Sequence, residues 1–321
     1  MKIDISTSSP IQLPRLSVRA LPRSLPPVAN ETIGSFVARL AFVNHINCRD
    51  LIRVLAPTCR SQLRAPEKIV RLHLLAGATG IKSTHLAYAL PEIRGQLLDQ
   101  GVSGLKGMTI AGHPNRIHPA CRLCMGAKNV VGRVSVWRRP DQNICLRHGI
   151  WIGRDVTTPA DQFCVNDLPE MLQAQRRHGK LISRYGHRAV NYHYGHAHNI
   201  VDVSSRLPSP TKRWSRMLYF FEREKVERLP RSYSSAAMYP EAVALTNILI
   251  SPYWRHSAVH GSPIEQDKFF RHIQLKDLTN GPPNLDRSLW GWIREHQPQP
   301  WRHTGQQFLD LRTHLRSPVA E

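Results

Sequence analysis

Apolar residues along this chain recur mostly at helical spacing. Ile33, Phe36, Val37, Leu40 and Ala41 fall at i, i+3, i+4, i+7 and i+8, which places them on one face of a helix. Asn30 before this run can cap the free N–H groups, and Glu31 suits the positive end of the helix dipole. Leu51, Ile52, Val54 and Leu55 predict a second helix that ends before Pro57. Pro66 and Glu67 mark a third start, with Ile69, Leu72 and Leu75 facing inward. The run Ala76-Gly77-Ala78-Thr79-Gly80-Ile81 follows, then Ser83 and a helix carrying Leu86 and Leu90. Small Ala76 lets two helices approach, and Gly80 can take the positive φ of a turn. This is the pattern of a helix-turn-helix, and equally of a plain αα-hairpin. In the first case the exposed side of the second helix offers Lys82, His85, Tyr88 and Arg94 to a groove.

The period changes in the middle of the chain. Residues 99–120 are glycine-rich and loop-like. Val130, Val131, Val134, Val136 and Trp137 are strand-forming residues, and Pro140-Asp141-Gln142-Asn143 is a turn cluster. Ile144 and Ile150-Trp151-Ile152 complete a short β-ribbon. Helical spacing returns after residue 161, at Leu168/Met171/Leu172, Trp214/Met217/Leu218/Phe221, Ala242–Leu249, Phe269/Phe270/Ile273 and Leu289/Trp290/Ile293. The Trp and Phe stripes are read as core rather than as platforms for bases. The expected fold is mainly α. A basic leader (1–24) precedes an N-terminal helical domain with the helix-turn-helix-like hairpin (25–110). A β-ribbon finger (111–160) and a C-terminal helical bundle (161–321) follow.

Composition narrows the partners. Lys and Arg total 44 against 23 Asp and Glu, a formal charge of +21 spread along the chain. Such a field attracts polyanions, and nucleic acid is the leading candidate. No stretch of about 18 apolar residues occurs, so no membrane span is expected, and Met1–Val28 lacks the apolar core of a signal peptide. The protein is expected in the cytoplasm, associated with the nucleoid.

Four residues carry the clearest chemistry. Cys121-x2-Cys124 and Cys145-x2-His148 are two knuckles separated by 20 residues. A two-residue gap lets a tight turn aim both side chains at one point, and two such knuckles supply the four ligands of a closed, structural Zn2+ site. His118 lies three residues before Cys121 and is a rival for the place of Cys124. Arg133, Arg138, Arg139 and Arg147 make the finger basic and are candidates for phosphate contact. Residues 176–198 hold His178, His187, His193, His196 and His198, which fit a solvated polar helix, neutral imidazoles packed inside the fold, or a second metal site. The acids are too dispersed to assemble a nuclease centre.

These motifs resemble those of the TniQ/TnsD family of transposon target-selection proteins. The likeness rests on Pro27, Glu31, Ser35 and Arg39-Leu40-Ala41, on the hairpin ending Leu86-Ala87-Tyr88-Ala89-Leu90-Pro91, and on the finger with Val136-Trp137 and His148-Gly149. Family fingers usually carry proline where this chain has Arg122 and Leu146. The resemblance implies no catalyst. It implies a zinc-containing adaptor in bacterial transposition that engages a DNA target, directly or through a guide-RNA surveillance complex. The adaptor then recruits an AAA+ ATPase regulator and a DDE transposase. The rival expectations are a zinc-stapled nuclease and a free-standing helix-turn-helix transcription regulator.

Overall fold

The computed structural model describes residues 18–56, 70–94, 96, 116–204, 212–224, 230–276, 278 and 287–297. The leader up to residue 17, the helix start at Pro66, Glu67 and Ile69, and residues 99–115 lie outside them. The described residues are mostly helical, with two small antiparallel sheets. The chain divides into two compact units, Met1–Gln175 with Arg228–Ser232, and Arg176–Glu227 with Tyr233–Glu321.

In the first unit, α1 (Ile33–Val43), α2 (Cys48–Leu55), α3 (Leu72–Thr79) and α4 (Ser83–Ala89) share one core. Phe36, Leu40, Leu55, Leu75, Leu86 and Leu90 are fully buried in it. The expected start of α1 is corrected. Thr32 is the cap, its hydroxyl accepting from Ser35 N at 3.1 Å. Asn30 sits at φ 61, and Glu31 forms a β-bridge with Val136, so neither is free to serve the helix end. Gly80 closes α3 at φ 70, where a Cβ would cost roughly 1–2 kcal/mol. α3 and α4 pack as the expected hairpin.

The rest of this unit is built from short pieces. β1 (Arg116–Pro119) pairs with β2 (Ser135–Arg138), with Ile117 opposite Trp137 and His118 opposite Val136. A helix, α5 (Arg122–Ala127), lies between them in sequence. The segment around Glu31 joins this sheet: Trp137 N donates to Asn30 O and Thr32 N to Ser135 O. β3 (Ile144–Cys145), β4 (Ile150–Trp151) and β5 (Phe163–Cys164) form the second sheet in that order. Two expectations change. Residues 116–119 are strand rather than loop. The strand read from Val130 begins only at Ser135, because Asn129 at φ 51 and Gly132 at φ 83 bend the chain before it.

Two further helices, α6 (Pro169–Tyr185) and α7 (His187–Ser204), meet at Gly186 (φ 79). α8 (Lys212–Glu224), α9 (Arg231–Ala237), α10 (Tyr239–Leu249), α11 (Pro252–Val259), α12 (Pro263–Leu275) and α13 (Arg287–His296) follow. In the second unit α7 packs on α10 and α13, around a core with Leu245, Leu249, Phe269, Ile273, Leu289 and Ile293 fully buried. The expected inward stripe of α8 is overturned. Trp214, Leu218 and Phe221 are 51%, 41% and 37% exposed, and the buried positions are Arg213, Arg216 and Phe220. The two arginines can lie inside because each finds partners there. Arg213 donates to Val201 O, while Arg216 donates to Ala237 O and pairs with buried Glu241. Of the readings of residues 176–198, packing inside the fold holds for His178, His193 and His198, which are buried, and the solvated helix does not hold for them.

Candidate metal centre and nucleic-acid surface

Both knuckles are fixed by their backbones. Cys121 stands at the N-cap of α5, and Met125 N donates to Cys121 O, so the first turn of that helix brings Cys124 back beside Cys121. In the second knuckle His148 N and Gly149 N both donate to Cys145 O, at 3.0 and 2.7 Å. That turn needs Gly149 at φ 56, a left-handed position where a Cβ would also meet Asn166 Oδ1 at 1.5 Å.

Two buried glutamines tie the knuckles to their surroundings. Gln162 accepts from Arg122 N at 2.8 Å and donates to Ala120 O, pinning the first knuckle. Gln175 accepts from Asn143 N and Ile144 N and donates to Asp141 O, pinning the strand that carries Cys145. Neither glutamine stands out in the sequence, because an isolated polar residue has no period and no partner spacing.

The four expected ligands converge. Their ligand atoms all lie within 4.8 Å of one another. Cys124 Sγ is 3.6 Å from Cys145 Sγ and 3.2 Å from His148 Nδ1, and His148 Nδ1 is 3.7 Å from both Cys121 Sγ and Cys145 Sγ. A tetrahedral zinc with bonds of about 2.0–2.3 Å requires ligand separations of about 3.5–3.8 Å. The donor set of three thiols and one imidazole fits zinc in size and in softness. His118 is not one of the four; it sits in β1 opposite Val136. Among the described residues this is the one group of His, Cys, Asp or Glu that could hold a metal ion, and the histidines of 176–198 form no second one.

Proton sharing among the thiols shows how closely they are held. Hydrogen bonds from Cys121 and His148 bring the Cys145 thiol down to about 4 against the opposing effect of burial. The Cys121 thiol is pushed up, chiefly because it donates to Cys145, and burial pushes up Cys124. A metal ion would replace these shared protons and allow all three sulfurs to ionise.

The basic residues divide into two sets. Lys82, His85 and Tyr88 are exposed along α4, and Arg133, Arg139 and Arg147 are exposed around the finger. Arg139 pairs loosely with Asp141 at 3.5 Å. Two arginines read as surface groups are instead internal. Arg94 lies beyond α4, 3% exposed, donating to Ala87 O and Tyr88 O, so it anchors the end of that helix. Arg138 is 6% exposed and donates to Ile152 O and Pro119 O. Burial brings its pKa down to about 10, opposed by the nearby thiols, so it remains a cation beside the cluster at neutral pH. A zinc ion bound by three thiolates and one imidazole carries one excess negative charge, which Arg138 is placed to offset.

The Pro27–Ala41 motif also has a structural meaning. Glu31 is fully buried and accepts from Arg39 Nε and Nη2 at 2.8 and 2.7 Å, from the Ser35 hydroxyl at 2.9 Å and from Val28 N at 2.9 Å. Ser35 Oγ in turn accepts from Ser135 N. The carboxylate therefore fastens α1 to the strand β2 of the finger.

Residues 22–151 match the TniQ family model, so the N-terminal part of the chain is a TniQ domain. No curated protein and no solved structure matches the chain. The family is associated with transposition and target selection, and its members are adaptors and DNA-binding proteins rather than known enzymes.

Proposed function

We propose that this TniQ-domain protein is a zinc-containing, DNA-binding adaptor that selects the target site in bacterial transposition by recruiting an AAA+ ATPase regulator and, through it, a DDE transposase. The observation that carries this reading is the convergence of Cys121, Cys124, Cys145 and His148 inside the segment that matches the family. Bound zinc would supply a rigid tetrahedral cross-link and leave no open position for a reacting water. The residues around it do the rest. Gln162 and Gln175 hold the knuckle backbones, Arg138 balances charge, and Glu31 couples the finger to α1.

Exposed Arg133, Arg139 and Arg147 on the finger, and Lys82, His85 and Tyr88 on α4, offer donors to phosphate oxygens and base edges. No helix among the described residues is long and apolar enough to cross a membrane. The reading is tested by mixing tagged protein, duplex DNA and an AAA+ ATPase regulator of a transposition system. DNA binding should weaken steeply with salt, with the slope reduced by about 0.9 for each phosphate contact removed by Arg→Ala at 133, 139 or 147. The ATPase should be retained on the tagged protein. Failure to bind duplex DNA at low salt together with failure to retain the ATPase would overturn the reading.

A further inference from the structure

The second unit contains a pocket of about 440 Å³ lined by Pro252, Arg255, His256, Val259, His260 and His296. Five of these belong to α11 and the residue just after it; His296 comes from the end of α13. No lining residue is acidic. Arg255 is exposed and has no ion-pair partner among the described residues. The rings of His256 and His260 lie 5.7 Å apart. His296 Nδ1 is 2.8 Å from Trp292 O, so that nitrogen carries the hydrogen and Nε2 is left for another partner.

Two further imidazoles pack behind the pocket. His193 stacks on His296 at 5.8 Å, and His196 lies 6.2 Å from the same ring. The neighbouring carboxylates are already engaged. Glu295 accepts from the Tyr192 hydroxyl at 3.0 Å and lies 3.7 Å from His196. Glu265, near His256, accepts from Ser262 N and Oγ at 2.8 and 2.9 Å. The pKa of His193 falls to about 4, first through burial and then through the positive charges of His296, Arg255 and His196. His193 is therefore neutral, and the positive charge of the pocket is that of Arg255, beside imidazoles that can offer N–H groups.

A cation does not fit this pocket. A guanidinium cannot ligate a metal, and the imidazole nitrogens do not converge on one point. A tetrahedral oxyanion does fit, because arginine and imidazole N–H groups match its oxygens. The volume exceeds that of a bare phosphate and leaves room for an attached nucleoside.

We propose that this pocket binds a phosphate group, carried by a free nucleotide or by a nucleic-acid strand. The inference rests on the second unit alone, so it can stand or fall independently of the zinc and adaptor reading. The test is calorimetric titration of the full chain with inorganic phosphate, with AMP, and with a short single-stranded oligonucleotide with and without a 5′-phosphate. Phosphate and AMP should bind, and Arg255→Ala should weaken AMP about tenfold or more. Arg255→Lys should restore part of that loss. Arg177→Ala, which removes another exposed charge, from α6, should change nothing. Displacement of AMP by the 5′-phosphorylated strand alone supports a terminal phosphate. Displacement by both strands supports a backbone phosphate. Absence of binding by phosphate and AMP overturns the proposal. So does equal weakening by Arg255→Ala and Arg177→Ala, which would mark a diffuse basic surface only.

Discussion

Single side chains decide how this chain is held together, and several do so from buried positions. Glu31 and Arg39 are 0% and 4% exposed and meet at 2.7 Å. Removing one member of such a pair leaves the other charge buried and unpaired. Glu31→Ala is therefore expected to destabilise the protein by about 3–5 kcal/mol in urea unfolding, far more than an exposed Glu→Ala change. Loss below about 1 kcal/mol would refute the role given to this carboxylate.

His178 gives a pH-dependent counterpart. It is fully buried beside the Tyr239 hydroxyl at 3.1 Å, and burial lowers its pKa to about 4. The folded state keeps this ring neutral, whereas the unfolded chain takes up a proton near pH 6.5. Its contribution is complete above about pH 6.5 and is lost as the pH falls toward 4. The full effect is on the order of 3 kcal/mol, and burial lowers His193, His196 and His272 in the same direction. Comparing unfolding at pH 7.5 and pH 5 in the native chain and in His178→Phe isolates this residue. The variant should lose less stability on acidification, and an identical loss in both proteins would contradict the assignment.

Legibility differs from residue to residue. Cys121, Cys124, Cys145 and His148 were readable because ligand chemistry imposes a spacing. Glu31 was noticed but placed at a helix end, because its true partner Arg39 lies eight positions away through a turn that the pattern does not show.

At the scale of elements, the strongly periodic helices were visible and the shortest pieces were not. α1 and α10 follow their apolar spacing closely. β1 and α5 have four and six residues, too few to establish a period, and they are fixed by pairing with β2 and by the first knuckle. α8 misled for a different reason. A stripe such as Trp214, Leu218 and Phe221 predicts burial only when nothing else competes for the inner face, and here Arg213 and Arg216 bring their own partners inside.

The second knuckle shows how much a small element depends on one backbone conformation. Gly149→Ala forces a left-handed residue to carry a Cβ and displaces Asn166, which donates to His148 O at 3.3 Å. The expected cost is about 1–3 kcal/mol, seen as a lower melting temperature together with faster loss of metal to a chelator. An unchanged melting temperature and metal release would show that the turn tolerates the substitution.

For the whole molecule, charge and the metal cluster point the same way. The formal charge of +21 was legible from composition, but its placement was not. Arg133, Arg139 and Arg147 face solvent, whereas Arg94, Arg138, Arg213 and Arg216 are buried against carbonyls or a carboxylate. Part of what reads as a nucleic-acid surface is thus internal scaffolding, and the electrostatic footprint is smaller than the raw count suggests. The mostly helical architecture with a small finger follows from the sequence periods and the knuckle spacing.

The account depends most on zinc in the first unit, and metal analysis of freshly purified, reduced protein tests it directly. One zinc per chain is expected, with Cys145→Ser losing the metal and the fold of the finger with it. A full-length protein that stays folded and carries no zinc, before and after addition of Zn2+, would contradict it.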